Sequence, residues 1–310
     1  MTDQQWRGVF VIVTTPFDRN LALDVESLRQ TVRFCVDCGV QGVVSTANAS
    51  EVSYLTDTER RLVAEVVVEE AQGKTKAIVG ISSTCAPIAG DHARHAESIG
   101  ADGLMAMPPT FQRPSEGEIR AYYRAIADAS ALPIMLQNYG GPGGTAMSPR
   151  LMADLLREIP SVRYVKEETE FSSVLMSEIQ AVAGGDLAGV MGGKAGLKLL
   201  DEYRRGACGT MPACEVSDIH VALWQALEAG EMTRAKEIYR LVLPLLTFEV
   251  GYGPAVYKEV LFRRGVISSP VFRQTGGRVL DPLAMAELDD IMADLEALML
   301  PRYRPLRAAA

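Results

Sequence analysis

The sequence predicts an α/β fold, a (β/α)8 TIM barrel with a C-terminal helical extension. Three observations predict it. Short apolar runs of β-type residues alternate with longer amphipathic segments, eight times in succession. The short runs are continuously apolar rather than alternating, as expected of strands covered on both faces. The first run leads into "TTPFDRN" (14–20), which is not the glycine-rich phosphate loop that usually opens the rival, doubly wound sheet. Strict alternation of strand and helix argues for parallel strands, and eight such units for closure into a barrel.

The elements follow in order. "GVFVIV" (8–13) precedes the helical pattern "DVESLRQTVRFCVDCG", and "GVVS" (42–45) precedes "TDTERRLVAEVVVEEAQG", where Thr56 and Glu59 have capping-box spacing. "KAIVGI" (76–81) precedes "APIAGDHARHAESIG", and "GLMAM" (103–107) precedes "SEGEIRAYYRAIADAS". "PIMLQ" (133–137) precedes "SPRLMADLLREI", with Pro149 suited to a first helical turn. "VRYVK" (162–166), "LAGVM" (187–191) and "CGTMP" (208–212) each precede a further amphipathic stretch. The barrel is expected over 1–229. Helices without strands follow over 230–310, the first with Ala235, Ile238, Tyr239, Val242, Leu245 and Leu246 on one stripe. The basic tail "RYRPLRAAA" (302–310) reads as frayed and solvated.

Composition narrows the function classes. With 48% hydrophobic and 23% charged residues the chain can bury a sizeable core, and a net charge of −8 argues against a nucleic-acid partner. Five scattered cysteines, no leader in "MTDQQWRG" and no apolar run of membrane length give the expectation of a cytoplasmic protein with reduced thiols and no membrane partner. Cys35 and Cys38 form a C-x-x-C, but it lies at the end of an amphipathic helix without a second ligand pair, so both read as core residues. His92, His95 and His220 fall in helices, away from the strand ends. No metal and no cofactor are expected.

In a barrel the loops after the strands form the active face. Lys166 is the only lysine at the inner end of an expected strand. An ammonium among apolar strands loses its hydration, which favours the neutral, nucleophilic amine; such an amine forms an imine with a carbonyl. The other reading of Lys166 is a rim ion pair with Glu167 or Glu168. If strand geometry persists, Glu168 shares a face with Lys166 and Glu167 points away. Glu168 is then either a proton carrier for the imine or the structural partner of the lysine. The glycine-rich "GGPGG" (140–144) reads as a loop of close backbone approach rather than a phosphate cradle.

These residues resemble the dihydrodipicolinate synthase / N-acetylneuraminate lyase family of lysine-dependent barrel enzymes. The resemblance runs over nearly the whole chain and is carried by "GVFVIVTTPF", "ASEVSYLTDTERRLV", "PPTFQRPSEGEI", "PIMLQNYGGPGGTAMSP" and "YVKEET". It implies that Lys166 forms the Schiff base. The chain departs from the synthases at three relay positions: Asn48 stands for a threonine, Phe111 and Gln137 for tyrosines. No arginine appears among Gly143, Gly144 and Thr145, where the synthases bind their second substrate. The pattern is closer to the family's 2-keto-3-deoxyarabonate dehydratases, which carry Ala-Asn-x-Ser-Glu, Ile-Gln-Asp and Lys-x-Glu-Thr. The matching residues here are Ala47–Glu51, Leu136–Asn138 and Lys166–Thr169. That branch has a carboxylate-rich segment after the seventh strand, where this chain has Gly192, Gly193 and Lys194.

The resemblance therefore implies a lyase, a dehydratase or aldolase, acting on a 2-keto acid, most closely a 2-keto-3-deoxy sugar acid. Lys166, Glu168 and Gln137 are the expected catalytic residues. Asn48, Ala49, Ser50, Phe111, Asn138, Tyr139 and Lys194 are expected at the substrate. A homotetramer is expected from the same resemblance. Two alternatives stay open: a pyruvate-dependent aldolase or synthase working on another aldehyde, and a catalytically silent barrel that binds a keto acid.

Overall fold

The computed structural model describes residues 5–109 and 113–305. Eight parallel strands close into a barrel in the order β1-β2-β3-β4-β5-β6-β7-β8. They are β1 (Gly8–Ile12), β2 (Gly42–Ser45), β3 (Lys76–Gly80), β4 (Gly103–Ala106), β5 (Ile134–Tyr139), β6 (Val162–Glu168), β7 (Gly189–Gly192) and β8 (Gly209–Thr210). The helices are α1 (Val25–Asp37), α2 (Asp57–Ala71), α3 (Ala86–Ser98), α4 (Glu116–Ala129), α5 (Pro149–Glu158), α6 (Ser172–Ala183), α7 (Leu199–Arg204) and α8 (Ser217–Glu228). Then follow α9 (Met232–Tyr252), α10 (Pro254–Arg263) and α11 (Pro282–Leu295). Among the described residues, no helix is long and apolar enough to cross a membrane.

Local chemistry explains where the helices start. Thr56 and Glu59 close the expected capping box on α2, and Ser115 with Glu118 closes another on α4. Ser148 caps α5 with Pro149 in its first turn, and Asp281 caps α11 ahead of Pro282. The strands differ from expectation mainly in length. β5 and β6 run two residues further than their apolar character does, paired as Gln137↔Lys166, Asn138↔Glu167 and Tyr139↔Glu168. Lys166 is thus inside the strand, because polar side chains that bond one another replace apolar cover.

Two units are distinguished. One holds the described residues through Gly8 together with Lys76–Met211, and so β3–β8 with α3–α7. In it the Trp6 ring stacks on Tyr164 with centroids 4.3 Å apart, and the Trp6 backbone N–H donates to the Tyr164 hydroxyl at 3.0 Å. Gly103 lies beneath that indole, where any Cβ would overlap it. The other unit holds Val9–Thr75 and the chain from Pro212 onward. Here α9 packs on α8, α10 and α11, with Ala235, Ile238, Val242, Leu245 and Leu246 buried and Tyr239 half-buried. Cys35 and Cys38 are buried with free thiols. Burial pushes both thiols up, away from the reactive thiolate.

The start of the basic tail is exposed, as expected, but it is tied down rather than frayed. Arg302 and Tyr303 both bond the Asp37 carboxylate, at 2.9 and 2.5 Å, and the Tyr303 carbonyl accepts from Arg264 Nε at 2.9 Å. Arg264 is itself buried, paired with Asp218 and lying over the Phe34 ring. A charged side chain this deep is held only by a full set of acceptors, and the tail supplies one. Residues 306–310 lie outside the described residues.

Among the described residues, Glu215, Glu249 and Glu202 are buried without an ion-pair contact. Glu215 and Glu249 have no donor on any side-chain oxygen, and burial together with Glu215 drives the Glu249 carboxyl well above the usual range. Glu202 of α7 is 1% exposed; Ser172 Oγ donates to its Oε1 at 2.8 Å, and Oε2 has no partner and lies where a Cβ on Gly192 would be. Burial raises its carboxyl from 4.5 to about 7, with Glu167 and Asp201 adding repulsion and Lys198 opposing.

The folded protein therefore holds the Glu202 proton more tightly than the unfolded chain. Its contribution to stability is present below pH 4.5 and is lost as pH rises to about 7. Glu202→Gln, which stays neutral, is expected to gain on the wild type across that window by on the order of 3 kcal/mol. Urea unfolding of both proteins at pH 5 and pH 7.5 measures it; a difference that does not grow with pH rules out a protonated Glu202.

Candidate active site

The site is built on the polar extensions of β5 and β6. Residues two apart on a strand share a face, and Lys166 Nζ lies 3.0 Å from Glu168 Oε1, with the two side chains 3% and 9% exposed. Gln137, opposite Lys166 in the β5–β6 register, donates through Nε2 to Glu168 Oε2 at 2.6 Å. Lys194 donates its backbone N–H to Glu168 Oε1 at 3.3 Å. One carboxylate is thus held by an ammonium, an amide and a main-chain donor. Lys194 contributes its backbone, held at φ 48°, and its side chain is exposed.

Glu167 and Asn138 face the other way. Asn138 Nδ2 donates to Glu167 Oε2 at 2.6 Å, and Thr169 donates to Glu167 Oε1 from its backbone N–H, at 2.8 Å, and from its hydroxyl. Asn138 Oδ1 accepts the Met147 N–H at 2.7 Å, which ties the returning loop to the strand. Burial raises the Glu167 carboxyl, and these donors pull it back. Asn138, expected at the substrate, thus has its amide committed within the protein.

Tyr139 is half-buried at the end of β5, and its ring lies where Cβ atoms on Gly141 and Gly144 would be. The glycines of "GGPGG" make room for this ring. Burial and the nearby Glu168 charge raise its phenol. Phe111 lies outside the described residues.

The sequence did not reveal what Gly193 does. A Cβ there would overlap the Glu168 side chain from Cγ outward. Of the glycine pair that departs from the carboxylate-rich pattern, Gly193 leaves the space that Glu168 occupies, and Gly192 leaves space for Glu202. The available signal was the coincidence of that departure with the missing tyrosine positions.

In the second unit, the β2 strand ends in a short 3₁₀ turn, Asn48–Ser50. Ser50 is fully buried; its hydroxyl donates to the Val13 carbonyl at 2.6 Å and accepts the Ala47 N–H at 3.3 Å. Thr15 Oγ1 donates to the Ser50 carbonyl at 2.7 Å. Ser50 therefore shapes the turn rather than presenting a free hydroxyl. Asn48 is exposed and Ala49 half-buried, and their backbone N–H groups take no part in the turn's own bonds. Such a turn can accept an anion through main-chain donors. Among the described residues no group of three or more His, Cys, Asp or Glu is arranged to hold a metal ion.

Comparison with known proteins gives concordant matches. A curated relative from Azospirillum brasilense, an L-2-keto-3-deoxyarabonate dehydratase, is 31% identical over 298 residues, covering 95% of this chain and 96% of its own. A 4-hydroxy-tetrahydrodipicolinate synthase from Methanopyrus kandleri is 30% identical over 270 residues, covering 86% of this chain and 89% of its own. The crystal structure of dihydrodipicolinate synthase from Rhodopseudomonas palustris superposes with a TM-score of 0.86 at 27% identity, over 93% of this chain and 97% of that one. The family profile described as the dihydrodipicolinate synthetase family matches residues 5–297, nearly the whole chain. The chain belongs to the dihydrodipicolinate synthetase family, whose members are lyases and synthases.

Proposed function

We propose that this enzyme removes water from a 2-keto-3-deoxy sugar acid through an imine on Lys166. The observation that carries the reading is the buried Lys166–Glu168–Gln137 network. The ammonium passes a proton to Glu168 across their contact, and the neutral amine adds to the C2 carbonyl. Loss of water gives the protonated imine, an electron sink. Glu168, freed of that proton, then takes one from C3. The resulting enamine expels the C4 hydroxyl, which leaves as water with the proton carried by Glu168, and hydrolysis returns the keto acid product and free Lys166. Gln137 keeps the Glu168 carboxylate oriented and is a hydrogen-bond partner for a substrate hydroxyl. The substrate carboxylate is assigned to the main-chain donors of Asn48 and Ala49. Tyr139 and the Lys194 ammonium are assigned to the far end of the substrate.

The 31% identity to a 2-keto-3-deoxy sugar acid dehydratase, over almost the full length of both chains, supports this choice of substrate class. The synthase relatives support a second reading, the same imine used for carbon–carbon bond chemistry with pyruvate and an aldehyde. Assays that separate water loss from pyruvate release distinguish the two. A cytoplasmic homotetramer with no cofactor belongs to the same proposal.

Borohydride with pyruvate is expected to add a reduced three-carbon adduct to the Lys166 peptide, and Lys166→Ala is expected to abolish it. An unmodified Lys166 in an enzyme that still turns over would sink the imine.

Glu168→Gln is expected to keep the trapped adduct while lowering kcat by about 10²- to 10⁴-fold, the usual worth of a positioned acid–base. Gly193→Ala is expected to act in the same direction, because its Cβ displaces the Glu168 side chain. Wild-type turnover in both variants would remove Glu168 from the proton path.

A further inference from the structure

A second buried lysine lies in the other unit and takes no part in the chemistry above. Lys258 of α10 is fully buried, with Nζ 2.5 Å from Glu51 Oε1. It also donates to the Val271 carbonyl at 3.0 Å and lies over the Phe17 ring, 4.1 Å from the centroid. All its donor directions are filled, so it is not a spare nucleophile. Glu51 directly follows the Asn48–Ser50 turn and has left-handed backbone, φ 54°. A non-glycine residue in that conformation persists only where its surroundings hold it.

The surroundings are C-terminal. Glu51 Oε2 accepts the backbone N–H groups of Arg273 at 2.7 Å and Gln274 at 2.9 Å, so both carboxylate oxygens are bound by the segment that follows α9. The Arg273 guanidinium covers Phe17, 4.2 Å from its centroid, and bonds the Leu21 and Tyr54 carbonyls and the Glu59 carboxylate. The residues that follow the turn, Glu51, Tyr54 and Glu59, are thus pinned by the C-terminal segment. A loop that carried only weak contacts would open locally at little cost.

We propose that Lys258 and Val271–Gln274 form a clamp on Glu51 that sets the Asn48–Ser50 turn, so that the C-terminal extension controls affinity for the substrate carboxylate. The inference rests on the assignment of that carboxylate to the turn, and it makes Lys258 a positioning residue rather than a catalytic one.

Two readouts test it. Lys258→Met keeps the packing of the stem and strands a buried carboxylate. It is expected to speed amide hydrogen exchange in peptides spanning residues 46–52 by about tenfold or more, while peptides over β5 and β6 exchange as in the wild type. The pyruvate concentration giving half-maximal borohydride trapping is expected to rise by about tenfold, with the trapping rate at saturation little changed. The double variant Lys258→Met/Glu51→Gln removes the stranded charge; if the single variant does not fold, it carries the same two expectations. Unchanged protection of the turn overturns the clamp. Faster exchange with an unchanged pyruvate midpoint overturns its role in binding. A wild-type protein that traps no keto acid overturns the imine and with it the binding role assigned here, and the exchange comparison still decides the clamp.

Discussion

The ladder between β5 and β6 governs the site. Six polar side chains lie buried along it and just beyond its end, and burial of a charge or amide is costly unless each group finds a partner. The register supplies the partners by placing Gln137 beside Lys166 and Asn138 beside Glu167. The period of two then sorts them. Gln137, Lys166 and Glu168 bond on one face; Asn138, Glu167 and Thr169 bond on the other. A slip of one residue would exchange the faces and leave both sets without partners. One network is closed on itself. The other contains a lysine and a glutamate whose charged ends lie 3.0 Å apart.

Space is the second constraint. Two carboxyls flank the backbone at the end of β7, Glu202 where Gly192 lacks a side chain and Glu168 where Gly193 lacks one. The branch pattern with acidic residues in this segment would bring further negative charge to a carboxylate already held by one ammonium. Glycine here removes both bulk and charge and leaves the Lys194 N–H to bind Glu168. The glycine at 193 and the placement of the Glu168 side chain thus fit one another.

The barrel was legible because its signal is periodic: each apolar run and each cap reports on a neighbour a few residues away. The pair of Lys166 and Glu168 was legible for the same reason, since two residues on one strand share a face. What sequence could not convey depended on distant groups. Asn138 sits beside Gln137 in the chain, yet its amide is committed to Glu167 and Met147. Ser50 matches a dehydratase motif, yet its hydroxyl bonds the Val13 carbonyl. Arg302 and Tyr303 read as a basic tail because Asp37, their partner, is more than 260 residues away in the chain. A hydroxyl or amide has the same letter whether it faces ligand or backbone, and only tertiary partners decide.

The two buried lysines show how far residue type alone underdetermines chemistry. Each is paired with a glutamate, each is removed from water, and each lies near a strand end or its loop. Lys258 spends its protons on Glu51 and the Val271 carbonyl and lies against the Phe17 ring, so releasing one would break a contact that holds the backbone. Among the described residues Lys166 has one such partner, Glu168, and that carboxylate is held independently by Gln137 and the Lys194 N–H. The position of Glu168 therefore does not rest on Lys166 alone. A lysine whose partner is fixed by other groups is not needed to hold that partner. One whose partner depends on it is a rivet.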